Sequence, residues 1–251
     1  SNYASLADFV VMVRGASEMG MAGPALVKAG IGEDIDKEGL GGAAIQVDRN
    51  GMADLAVEDE AAALAAVRRF LSYLPSNANV APPVATAVAP TLPADSLLDV
   101  VPADQRKAYD MRKVIDAIFD GGSRFELKPT FARNIVTCFA RLDGRAVAVI
   151  ANQPMNRAGM LDARAVEKAA RFVGLADAFS LPLVTLIDVP GFAIGSVAEA
   201  SGLARRSGRL FFEMAHATVP RISVALRKGY GSGYIAMGGG RSFDCDFAFA
   251  W

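Results

Sequence analysis

Leu183-Val184-Thr185-Leu186-Ile187 runs into Asp188-Val189-Pro190-Gly191-Phe192, and Ile222-Ser223-Val224-Ala225-Leu226 runs into Arg227-Lys228-Gly229-Tyr230-Gly231-Ser232-Gly233-Tyr234. Each is a short apolar run rich in β-branched residues, which reads as a strand, followed by a glycine turn. Between them, Leu203 to Ala217 places Leu203, Ser207, Leu210, Phe211 and Met214 on one helical face. Strand, helix and strand at this spacing predict a parallel pair with a helical crossover, hence an α/β fold. Ligands collect at the carboxyl ends of parallel strands, so both glycine turns are expected to face one crevice. Glycine at every second position from Gly229 to Gly233, where a helix begins, exposes backbone N–H groups that can hold a developing oxyanion.

The same alternation extends upstream. Ile135–Leu142 and Ala146–Ala151 read as strands joined at Asp143-Gly144, a strong hairpin signal. Arg164–Phe179 is a helix with Val166, Ala169, Ala170, Val173 and Ala176 on one face. Lys107 to Phe119 is helical, with Met111, Val114, Ile115 and Ile118 aligned, and Gly121-Gly122 ends it. Before it, residues 76–104 carry Pro82, Pro83, Pro90, Pro93 and Pro102 among Ala, Val, Ser and Asn, the composition of a linker or an extended surface crossing. The domain boundary is expected there, giving units 1–104 and 105–251. In the first, Phe9 to Val13 leans to strand, Gly23-Pro24 opens a short helix through Lys28, Gly41-Gly42 is a tight turn, and Glu58 to Leu74 is an alanine-rich helix, acidic at its start and basic towards its end.

Composition narrows the function. The chain has 251 residues, 52% of them hydrophobic, enough for a substantial core. With 26 basic and 27 acidic residues the formal net charge is −1, so bulk electrostatics indicate neither a nucleic-acid nor a membrane-surface protein. No run of about 18 apolar residues suggests a membrane span, and no signal peptide is evident. Cys138 and Cys245 form neither a disulfide framework nor a metal spacing, and the single His216 excludes a multi-histidine centre, so no metal is expected. A reduced, cytoplasmic setting is the expectation.

Each motif also has a plainer reading. The turn at Gly229–Gly233 could serve close packing alone. Gly231-Ser232-Gly233-Tyr234-Ile235-Ala236 fits the dinucleotide pattern G-x-G-x-x-A, but it follows a late strand, and Asp244 and Asp246 fall short of the required acidic position. Asp188 is a capping residue or a catalytic one. His216, flanked by Ala215 and Ala217 near a helix end, reads as structural. Cys138 lies within an apolar strand, and Cys245 sits between Asp244 and Asp246, so neither reads as a nucleophile. Ser232 is not in G-x-S-x-G, which argues against a serine hydrolase. The amides of Asn152 and Gln153, before Pro154, either bind a ligand or close a turn.

Taken in order, Ala151-Asn152-Gln153-Pro154, Leu161-Asp162, Lys168-Ala169-Ala170-Arg171-Phe172, Asp188-Val189-Pro190-Gly191-Phe192, Ala217-Thr218-Val219-Pro220 and Arg227-Lys228-Gly229-Tyr230-Gly231 resemble the carboxyltransferase (beta) subunit of biotin-dependent acyl-CoA carboxylases, of the propionyl-CoA carboxylase type. Gly23-Pro24, Val27-Lys28, Gly41-Gly42-Ala43 and Tyr73-Leu74-Pro75 extend the resemblance over nearly the whole chain. It implies crotonase-like domains, each a spiral of ββα units. Residues 1–104 would be the C-terminal part of the N-domain with its proline-rich linker (76–104), and residues 105–251 the N-terminal part of the C-domain, so that the chain resembles the middle of a longer subunit. The implied reaction is carboxyl transfer from carboxybiotin to the α-carbon of a propionyl- or acetyl-CoA-like thioester through an enolate. The freed ureido nitrogen takes the α-proton, and two backbone oxyanion holes assist.

By the same resemblance, the N–H groups of Ser232 and Gly233 form the biotin-side hole, where the family often has Gly-Gly-Ala in place of Gly231-Ser232-Gly233. Gly191, Phe192, Tyr230, Gly231, Ile235, Asn152, Gln153, Gly23 and Pro24 are the implied substrate-binding positions, Ile235 lining the acyl pocket. The thioester-side hole would precede Tyr3. Gly191-Phe192-Ala193-Ile194-Gly195 departs from the usual Gly-Phe-Leu-Pro-Gly. The implied partners are a biotin carboxylase and a biotin carrier subunit, in a homo-oligomer that is a hexamer in the family. The alternatives are a biotin-dependent acyl-CoA decarboxylase, or a truncated assembly subunit without catalysis of its own.

Overall fold

A computed structural model describes residues 2–77 and 79–251. The chain divides into two units, residues 1–72 with 127–131, and 73–126 with 132–251.

The smaller unit contains α1 (Asn2–Ser5), β1 (Val11–Val13), α2 (Pro24–Ile31), α3 (Lys37–Gly41), a π-helical turn (Ala44–Arg49), β2 (Leu55–Val57) and α4 (Glu60–Leu71). Strands β1 and β2 pair in parallel, Met12 opposite Ala56. Asp59 starts α4 by accepting from the Ala62 N–H at 2.7 Å, and Glu60, Arg68 and Arg69 complement the helix dipole. The Phe9 and Phe70 rings stack at 4.6 Å, and Met12, Ala43, Val47 and Ala53 form a small core. An ion pair is buried beside it: Lys128 Nζ lies 2.8 Å from Asp54 Oδ1 and donates to the Gly51 carbonyl, while Asp54 Oδ2 accepts from the Val10 N–H. The expected turn at Gly41-Gly42 is tighter than a loop, since Gly41 closes α3 and the chain re-enters helical geometry at Ala44.

The larger unit holds a six-stranded sheet in the order β3 (Phe125–Leu127), β4 (Ile135–Leu142), β5 (Arg145–Asn152), β6 (Leu183–Val189), β7 (Arg221–Gly229), β8 (Phe247–Ala250). Its helices are α5 (Leu97–Val100), α6 (Met111–Ile118), α7 (Ala163–Ala178), α8 (Ser196–Ala200), α9 (Leu203–His216) and α10 (Gly231–Ala236). β4 and β5 form the expected hairpin, Leu142 opposite Arg145. Asp143 and Gly144 both take positive φ, 51° and 76°, as a two-residue hairpin turn requires. From β5 onward the pairing is parallel, with α7 crossing from β5 to β6 and α9 from β6 to β7.

Both faces of the sheet centre are covered, and Ile135–Ala140 and Leu183–Val189 are therefore buried throughout. Val136, Cys138, Val149 and Leu186 join a core with Met111, Val114, Ile115 and Phe119 of the α6 region. Among the residues of the other face, Phe139 meets Phe172 of α7 at 5.2 Å. Helix α6 begins at Met111, later than the expected Lys107, because Asp110 caps it: its carboxylate accepts from the Arg112 N–H at 3.0 Å. The proline-rich stretch crosses the surface of this unit. Ala85 N–H donates to the Gly144 carbonyl and Gly121 N–H to that of Val88. No helix among the described residues is long and apolar enough to cross a membrane.

Candidate functional site

The two glycine turns meet. β6 ends at Val189 and β7 at Gly229, and these two residues are paired. The Tyr230 N–H donates to the Val189 carbonyl at 3.2 Å, so the chain leaves the sheet there and enters α10 at Gly231. Opposite it, Gly191 has φ +131°, a conformation that favours glycine. Its carbonyl accepts from the Leu161 N–H at 3.0 Å, and the Ala193 N–H returns to the Leu161 carbonyl at 2.8 Å. Gly233 packs directly on Gly191: a Cβ added to Gly233 would stand 2.9 Å from Gly191 Cα. The crevice between the turns is as narrow as two glycines permit.

Ser232 and Gly233 begin α10, so their N–H groups have no carbonyl one turn earlier within the helix, and neither makes a backbone hydrogen bond to a described residue. Gly233 is buried; Gly231 and Ser232 are exposed. The Tyr234 ring anchors the turn, pressed so closely on Gly229 that a Cβ there would lie 2.7 Å from it. Ile235 is exposed on α10, and Tyr230 is half-exposed with its hydroxyl 3.2 Å from Gln105 Oε1. Phe192 is half-buried and continues through Phe211 to Phe243 in a row of rings about 6 Å apart, at 6.2 and 6.1 Å.

Asp188 is wholly buried and fully engaged. Its Oδ2 accepts from Arg227 Nε at 2.9 Å and its Oδ1 from the Lys228 N–H at 3.2 Å. This carboxylate holds backbone and cation in place. Asn152 and Gln153 are also wholly buried. Asn152 accepts from the Asp188 N–H and donates to the Gly159 carbonyl; Gln153 accepts from the Met111 N–H and donates to Asp110. Their amides close the turn behind the site. Burial, with the Asp188 carboxylate close by, pushes the Tyr109 phenol far above its ordinary pKa, so it stays protonated. Burial likewise pushes the Cys138 thiol up, as an inert core residue requires.

His216 is exposed, stacked on Phe212 at 3.9 Å with Nδ1 3.0 Å from the Phe212 carbonyl. In the smaller unit, Gly23 precedes α2 with Pro24 at its first position, and both border a cleft with Met19, Gly20, Lys37 and Gly41. The residues that the sequence reading did not single out are Tyr109 and Gln105, which approach the end of β7 through tertiary contacts alone.

The arrangement offers two backbone donors at a helix start and a buried ionic support. Chemically it suits an oxygen on which negative charge develops.

Comparison with known proteins gives a consistent answer. Residues 2–251 match the family model described as Carboxyl transferase domain. The chain is 42% identical over 248 residues to methylmalonyl-CoA decarboxylase subunit alpha of Veillonella parvula, covering 98% of this chain and 48% of that protein. It is 41% identical to the propionyl-CoA carboxylase beta chain of Roseobacter denitrificans, with the same coverage. A hexameric transcarboxylase 12S crystal structure with methylmalonyl-coenzyme A and methylmalonic acid bound superposes with a TM-score of 0.94 at 40% identity, over 98% of this chain and 48% of that one. The chain thus spans about half the length of these relatives, and its fold is their crotonase-like carboxyltransferase fold. By the match over residues 2–251 and the likeness of its fold, the chain belongs to the carboxyl transferase domain family.

Proposed function

We propose that the complete protein transfers a carboxyl group between biotin and the α-carbon of a small acyl-CoA, and that this chain supplies the biotin-side oxyanion hole. The observation that carries the reading is the pair of open N–H groups at Ser232 and Gly233, set against Gly191. A ureido oxygen is a hydrogen-bond acceptor, so these donors fit biotin's polar end. Biotin, brought by a carrier subunit and charged by a biotin carboxylase, would supply the activated carboxyl group. The chain's own residues donate from Ser232 and Gly233 to an oxygen that gains charge, fix that donor pair through Tyr234 packing, and border the crevice with Gly191, Phe192, Tyr230, Gly231 and Ile235. Ile235 and Phe192 favour an alkyl substituent over a charged one. Gly23 and Pro24, in the smaller unit, are proposed substrate-binding positions. A hexamer in the cytoplasm completes the proposal, the oligomer supported by the hexameric relative.

Some relatives carry a decarboxylase name, and the same donors serve either direction. The test is carboxyl transfer from a panel of malonyl-type CoA thioesters to free biotin, with this chain and the complete protein side by side. Transfer by the complete protein supports the reading and identifies the acyl group. No transfer by a folded complete protein would refute it and favour an assembly role.

A further inference from the structure

The pairing of β6 with β7 steps from Ile187 opposite Ala225 to Val189 opposite Gly229. Two residues advance on β6 while four advance on β7, so β7 bulges by two opposite Asp188. A bulge lengthens and re-aims the strand that carries it. Here the bulged strand delivers the turn that opens α10.

The Asp188 carboxylate fills the bulge. It receives the Arg227 guanidinium and the Lys228 backbone N–H, and Lys228 Nζ stands 3.7 Å from Oδ1. Arg227, 6% exposed at its side chain, reaches further. Its Nη1 donates to the carbonyls of Pro102, Asp104 and Lys107 at 3.2, 3.1 and 2.9 Å, and its guanidinium lies 4.6 Å over the Tyr109 ring. Lys228 Nζ donates to the Gln105 carbonyl, and Tyr230 meets the Gln105 side chain. Residues 102–109 are thereby strapped across the end of β7. A charge this deeply buried is tolerable only when paired, so the contacts stand or fall together.

Resting on the function proposed above, we infer that Asp188 and Arg227 are positioning residues: their ion pair holds the β7 bulge and so aims the N–H groups of Ser232 and Gly233, while Arg227 couples that turn to the 102–109 strap. Neither touches substrate. Arg227→Met removes every donor. Arg227→Lys keeps a cation for Asp188 but cannot serve three carbonyls together with it.

The experiment uses the complete protein and two readouts. Hydrogen–deuterium exchange of peptides covering 229–236 and 102–109 needs no turnover, so it decides the positioning role even if the transferase reading fails. In Arg227→Met both peptides should exchange at least about tenfold faster, while the 145–150 peptide of the sheet centre keeps its protection. Carboxyl transfer, expressed per folded protein, should lose about 10–100-fold in kcat with thioester KM within about twofold; counting only folded protein removes the fall in apparent kcat that loss of stability alone would cause. Arg227→Lys should release 102–109 yet hold 229–236 and most of kcat. A folded Arg227→Met whose 229–236 peptide exchanges as in the parent overturns the inference. Where the Met variant does not fold, the Lys variant decides: both peptides released, or neither, overturns it.

Discussion

Replacing Gly233 by alanine would place a Cβ 2.9 Å from Gly191 Cα, 3.1 Å from the Gly191 carbonyl carbon and 3.3 Å from Val189 Cγ2. Two of these three atoms are backbone, so no rotamer change relieves the contact, and the two turns must separate by several tenths of an ångström. Overpacking of this kind costs about 1–3 kcal/mol. Alanine in place of glycine within a helix returns about 1 kcal/mol, which leaves a net loss of about 0–2 kcal/mol and a folded protein. The N–H group survives but moves. Deleting an oxyanion donor outright lowers kcat by about 100–1,000-fold; a displaced donor should lose about 10–100-fold, a fraction of that effect. Gly233→Pro, which removes the N–H, sets the lower bound. The assay is carboxyl transfer from a malonyl-type thioester to biotin by the complete protein, with thioester KM and the unfolding midpoint measured beside it. The expected order is parent, alanine, proline, with KM within about twofold throughout. A folded Gly233→Ala with undiminished kcat would show that the contact with Gly191 does not set the donor's position. Undiminished kcat in a folded Gly233→Pro would show that this N–H is not a donor at all.

Other perturbations test the supporting structure. Lys128→Met strands the buried Asp54 carboxylate and should destabilise the smaller unit by about 3–5 kcal/mol in denaturant unfolding, whereas the double change Asp54→Leu with Lys128→Met should recover much of that loss. Asn152→Ala leaves the Asp188 N–H and the Gly159 carbonyl without their partner and should cost about 1–3 kcal/mol, read from the denaturation midpoint. Asp110 gives a pH dependence. Although burial opposes ionisation, the Arg112 N–H, the Gln153 amide and the Arg112 guanidinium hold its carboxyl below the ordinary aspartate value. The folded state therefore binds fewer protons than the unfolded one near that value. Its contribution is present above the unfolded pKa and lost as pH falls through the folded one. Exchange protection of 111–118 should fall with acid in this window; in Asp110→Asn that acid-dependent component should vanish.

The elements whose signals are local were readable from the residues. Asp143-Gly144 specifies a two-residue hairpin because both must adopt positive φ, and the apolar faces of Ala163–Ala178 and Leu203–His216 repeat with the helical period. The glycine turns were readable as turns after strands, because glycine at every second position from Gly229 to Gly233 punctuates the chain there. What required the structure was set by distant partners. By sequence Asp188 reads as a cap or a catalytic acid; the Arg227 guanidinium on its carboxylate comes from 39 positions away. The β7 bulge falls between Ala225 and Gly229, where the sequence ends the strand at Leu226 and reads a turn, so the strand's extension through the bulge leaves no mark. Gln153 reads as a ligand contact or a turn residue, and its contacts with Met111 and Asp110 span more than forty residues. The strand Phe247–Ala250, exposed at the sheet edge, was not anticipated because its alternation is short and follows a kinked turn at Phe243-Asp244.

The sheet order β3-β4-β5-β6-β7-β8 follows the order of the chain. Every strand is thus added to an edge that already exists, and none has to be inserted between two formed neighbours. Such a sheet can grow in the direction of synthesis as the polypeptide leaves the ribosome, each new strand finding a prepared template. In chain order the turn at Gly191, bonded to Leu161, comes before its counterpart after β7, so this topology permits the crevice between them to be closed last, on strands that already have their neighbours.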